Sequence, residues 1–159
     1  MRRSVLFGVV ALVAGLLLAL SPAASADSVI HKVSVGSSDI VPPPGTDGNF
    51  SLSAIERDDG TVTGQWQDTV FGRGTPAVGL HVEVDCLEVV GNEAWVSGVI
   101  TRPAALAGLP AITRVLDNGT SANDPADQVS FTFIGIAATC TDQPNLPLSD
   151  LLNGQVKVT

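Results

Sequence analysis

Period-two alternation of apolar and polar residues runs along most of this chain, and long amphipathic helical patterns are absent. The segment SVIHKVSV (28–35) sets Val29, His31, Val33 and Val35 on one face. After it, GSSDIVPPPGTDG is a stiff loop, with Pro42 to Pro44 favouring extended polyproline geometry. NFSLSAIE then places Phe50, Leu52 and Ala54 against Ser51 and Ser53, and TVTGQWQ answers with Val62, Gly64 and Trp66. Between them RDDG is a turn in which Gly60 supplies a positive φ, so the two segments predict a half-buried hairpin. VGLHVEVDCLEVV (78–90) turns Leu80, Val82, Val84 and Cys86 inward. Past Cys86 the alternation changes phase, as at a β-bulge or where a strand changes sheets.

Gly91-Asn92 makes the next tight turn, and EAWVSGVITR (93–102) returns, with Gly98 marking a close backbone approach or a bend. RPAALAGLPA predicts a loop with one short helical turn. AITRVLD and QVSFTFIGIA are the following strands, the second burying Val129, Phe131 and Phe133. TCTDQPNLPLSDLLNG is irregular, and GQVKVT is a last short strand. About eight strands at this spacing predict an all-β fold, a single antiparallel β-sandwich or barrel-like domain.

The first residues change the picture of where this domain lives. MRR is a short positive region, VLFGVVALVAGLLLAL (Val5 to Leu20) is unbroken apolar sequence, and AASA follows a helix-ending Ser21-Pro22. This predicts a signal peptide over 1–26 and an exported domain over 27–159. Without Arg2 and Arg3 the chain keeps 6 basic residues against 16 acidic ones, a net charge of −10. Such a surface argues against nucleic acid and against a membrane partner after cleavage.

Cys86 and Cys140 are the two cysteines, and both fall in the exported part. An even pair in an oxidising compartment reads as a disulfide. Closing a loop of about 54 residues stabilises the fold by about 4 kcal/mol on chain-entropy arithmetic.

The series GNFSLSAIERDDGTVTGQ, HVEVDCLEVVGNEAWVSGVIT, VLDNG, DQVSF, a second Cys and a final GQVKV resembles a family of exported bacterial β-rich domains. Their recurrent pattern is G-x-F…DG-x-V-x-G…C-L-x-V-x-G-N-x-A…DNG…C…G-x-V-x-V. The resemblance covers residues 48–159; the segment 27–47 departs from it. It implies an exported, mostly β domain of no established activity, with no catalytic residues to carry over.

Three constellations could carry chemistry. His81, Glu83 and Asp85 share one outward strip of LHVEVD, an imidazole with two carboxylates that could bind a metal or act as acid and base. A solvated strand face is the plainer reading, because no serine has the G-x-S-x-G context of a nucleophile. Trp95, opposite Val96 and Ile100, is the better candidate for an accessible sugar-stacking platform, whereas Trp66 reads as core. With aromatic residues at 4 % and no tyrosine, a glycosidase cleft is hard to build.

The third is DNGTSANDPADQ (117–128). Asp117, Asn123, Asp124 and Asp127 could offer oxygens to calcium, but their spacing fails the EF-hand pattern. Asn-Gly and Asp-Pro are ordinary turn dipeptides, and Asx side chains satisfy loop backbone groups without an ion. The loop therefore reads first as a strand connection, and no cofactor is expected. The expectation is a secreted, non-catalytic β domain that binds an extracellular protein or glycan or plays a structural role. The rivals are a hydrolase-type enzyme using the His81, Glu83 and Asp85 strip and a carbohydrate-binding module centred on Trp95.

Overall fold

The computed structural model describes residues 27–38, 48–70, 78–121, 123–130 and 132–159. The predicted leader, the proline run, residues 71–77 and Phe131 lie outside the described residues. The strands are β1 (Val29–Ser38), β2 (Gly48–Arg57), β3 (Val62–Val70), β4 (Val78–Val90), β5 (Glu93–Arg102), β6 (Pro110–Leu116), β7 (Gln128–Ser130), β8 (Phe133–Ile134), β9 (Leu148–Asp150) and β10 (Asn153–Val158). They form one antiparallel sheet in the order β10-β1-β2-β3-β4-β5-β6-β7-β9, with β8 pairing β6. The sheet curls into a half-barrel around its own apolar face.

Alternation positions this core. Val33, Val35, Phe50, Leu52, Ala54 and Trp66 are buried in one cluster with Leu80, Val82 and Val84, as the pattern predicts. Gly60 has φ 80 at the turn between β2 and β3. Val29 is an exception: the register of β1 against β2 slips between Val29 and His31, and Val29 is exposed. QVSFTFIGIA is two short strands rather than one, and β9 arises inside the segment expected to be irregular. RPAALAGLPA forms successive turns, with the Leu106 N–H donating to the Pro103 carbonyl and that of Leu109 to Leu106.

The phase change in β4 comes before Cys86, not after it. Val84 pairs Gly98 and Cys86 pairs Ser97, so Asp85 is the extra residue of a bulge. A Cβ at position 98 would run into the Glu83 carbonyl oxygen, so the glycine lets the two backbones meet there. Beyond the bulge Leu87 takes the core position, and Cys86 turns to the outer face of the sheet. There it is bonded to Cys140, with the Cα atoms 5.8 Å apart. Cys140 opens a short 3-10 turn (Cys140–Asp142) and is fully buried.

Candidate functional site

The acidic loop between β6 and β7 is built around backbone donors. Asp127, only 7 % exposed, accepts the Asn118 N–H through Oδ1 at 2.7 Å and the Val156 N–H through Oδ2 at 2.7 Å. Asp117 accepts from Gly119 at 3.0 Å and from Val158 at 3.0 Å. Asp124 accepts the Ser121 N–H at 2.8 Å, and the Asn118 amide donates to the Ala126 carbonyl at 2.6 Å. Asn123 is exposed. Val156 and Val158 belong to β10, whose only strand partner among the described residues is β1. Two carboxylates thus take the place of a neighbouring strand on the free edge of β10, which is one way of closing an edge. Among the described residues no group of three or more His, Cys, Asp and Glu converges as metal ligands do.

The His81, Glu83 and Asp85 strip is split. His81 and Glu83 line a depression of about 370 Å³ on the outer face of β3, β4 and β5, together with Gln65, Thr101 and Arg102. The register places Gln65 opposite Glu83 and Gln67 opposite His81. A slip between His81 and Val82 leaves Thr101 unpaired, and its hydroxyl donates to the His81 carbonyl at 3.2 Å. Asp85 stands apart. The bulge turns it to a separate cleft, beside Ser97, whose hydroxyl donates to Asp85 Oδ1 at 3.5 Å.

Trp95 is not accessible: it is 5 % exposed. Its side chain does face outward from the sheet, as alternation requires, since Ala94 and Val96 belong to the core cluster. The residues after β8, however, fold back over this outer face. The Trp95 indole N–H donates to the Pro144 carbonyl at 2.9 Å, and the Cys140 N–H donates to Ser97 Oγ at 3.4 Å. The Arg114 guanidinium lies 5.4 Å from the centre of the Trp95 ring, bonded to Glu93, to the Asn145 side chain and to the Leu146 carbonyl. A sugar platform needs an open ring face, and this ring is covered.

Sequence reasoning missed a polar group inside the half-barrel. Asp68 follows Trp66 on the inward face of β3 and is 8 % exposed. The Thr132 hydroxyl donates to Asp68 Oδ2 at 2.6 Å and accepts the Trp66 indole N–H at 3.3 Å. Burial pushes the Asp68 carboxyl above its ordinary value, and the Thr132 hydrogen bonds offset that only in part. The period-two series Val62, Gly64, Trp66 already pointed to position 68, had the strand been carried past Gln67.

No family model matches this chain, and no curated protein or solved structure matches it either.

Proposed function

We propose that the chain is a secreted, non-catalytic binding domain whose contact surface is the outer face of β3, β4 and β5. The observation that carries this is the depression where His81, Glu83 and Arg102 gather with Gln65 and Thr101. Both charges and three hydrogen-bonding side-chain types meet there on three adjacent strands, a composition suited to a polar surface of an extracellular protein or glycan. Binding is favoured over hydrolysis because an activated nucleophile must share a hydrogen bond with its base. Among the described residues the one hydroxyl lining the depression, on Thr101, donates to a backbone carbonyl instead. The Cys86–Cys140 bond supports an oxidising compartment, and the resemblance of residues 48–159 to exported bacterial domains agrees with that.

Immobilised protein, exposed to culture medium, is expected to retain a protein or glycan that the triple variant His81→Ala, Glu83→Gln, Arg102→Ala does not retain at unchanged Tm. Equal retention by the variant would move the contact surface elsewhere. Turnover of ester or peptide substrates that disappears in His81→Ala alone would replace the binding reading with an enzyme.

A further inference from the structure

The cleft beside Asp85 is separate from the depression over β3–β5. It measures about 150 Å³ and lies between β5 and the residues leading to Cys140. Its walls are apolar: Val99, Pro110, Ile136 and Ala137 line it, and Val99 is 40 % exposed. Its polar end holds the Asp85 carboxylate and the Ser97 hydroxyl. Asp85 is the extra residue of the bulge, outside the strand register, and it is exposed. Among the described residues the single ion pair joins Arg114 to Glu93, and none involves Asp85.

An apolar cleft ending in one carboxylate selects for a ligand of the opposite design, an apolar stem ending in one positive charge. We propose that this cleft receives the side chain of a lysine on a basic partner polypeptide, with Asp85 as the acceptor of its ammonium. The four-methylene stem covers the Val99, Pro110 and Ile136 walls while the charged head reaches the carboxylate, as lysine stems do along apolar surface. An ammonium is a compact point charge that a single carboxylate oxygen can engage, whereas the planar guanidinium gains most from two parallel bonds. A divalent cation needs several anionic oxygens, and among the described residues lining the cleft Asp85 alone is ionisable. The chain's formal charge of −8 draws basic partners toward it.

The test is an NMR titration of the intact oxidised protein with Nα-acetyl-lysine methylamide, with the norleucine analogue as neutral isostere and 1,5-diaminopentane as a free diamine. The lysine derivative is expected to shift the Val99, Ile136 and Ala137 signals saturably, with a Kd on the order of millimolar for a single side chain. Added salt should weaken this binding. Asp85→Asn keeps the side-chain volume and an acceptor for Ser97, and should weaken binding about tenfold. An equal response to the norleucine analogue would overturn the proposal, as would saturation by the diamine alone. Shifts that persist unchanged in a folded Asp85→Asn protein, or that map outside the cleft, would do the same.

Discussion

Asp68 is a carboxylate held where a carboxylate is poorly solvated. Its cross-strand neighbours are Phe50 and Leu80, and its hydrogen-bond partner is the neutral Thr132. Its folded pKa is raised above the ordinary 3.8, so the native state holds the proton more tightly than the unfolded chain does. The contribution of Asp68 to stability is therefore full below the unfolded value and is lost as pH rises through the folded one. Asp58, Asp59 and Asp142 act in the opposite sense. Their carboxyls are lowered by hydrogen bonds from Ser28, Thr61 and Thr139, so their contributions are lost as pH falls. Comparing wild type with Asp68→Asn cancels those shared terms. The variant keeps an oxygen for the Thr132 hydroxyl and cannot ionise. Its stability relative to wild type should rise as pH goes from about 4 to about 7. Urea denaturation at each pH measures this, and a difference independent of pH would show that Asp68 is not desolvated.

At the level of elements, the β6–β7 loop holds β10 by its carboxylates. Asp127→Ala leaves the Val156 and Asn118 N–H groups without their acceptor, one of them buried. A loss of about 2–4 kcal/mol follows. Hydrogen exchange should show the Val156 amide losing protection before those of β4. A loss below about 1 kcal/mol with Val156 still protected would refute the clamp. Because Asp127 carries this structural load, Asp124→Ala is the cleaner probe of calcium. Several millimolar calcium in place of chelator should leave the Tm where it is, as for a loop already satisfied by its own backbone. The residues 117–128 advertised turns and Asx side chains, but not which donors they reach, since Val156 lies 29 residues away from Asp127. Likewise, β1 to β6 were legible because each buries one face against a common core. Trp95 was not, because its outward face is covered by a segment with no period of its own, fixed there by the Cys86–Cys140 bond. The disulfide was the one sequence signal that tied this segment to β4, and it pointed to the wrong face because the bulge at Asp85 shifts Cys86 outward.

Across the whole molecule, the first described strand and the last lie side by side. The β1 strand pairs β10 over six positions, from Val33 with Val158 to Ser38 with Asn153. From β1 to β7 each strand pairs the next in sequence, β8 and β9 add to β6 and β7, and among the described strands β10 is the one that returns to β1. The same strand supplies Val156 to the core and gives Asp127 and Asp117 the N–H donors they need. Removing residues 153–159 therefore acts three times over. It opens β1 as a bare edge, uncovers Val33 and Val35, and strands a buried carboxylate without one of its donors. The shortened chain is expected to lose its cooperative urea transition, since no other element can take up those losses. A sigmoidal transition within about 1 kcal/mol of the full chain would show instead that the core stands without closure. The free edge of β1 should accept the missing strand from outside, as exposed edges accept extended peptides. A synthetic peptide of residues 150–159 should then restore the transition in proportion to its concentration, and the same peptide carrying Val156→Asp should not.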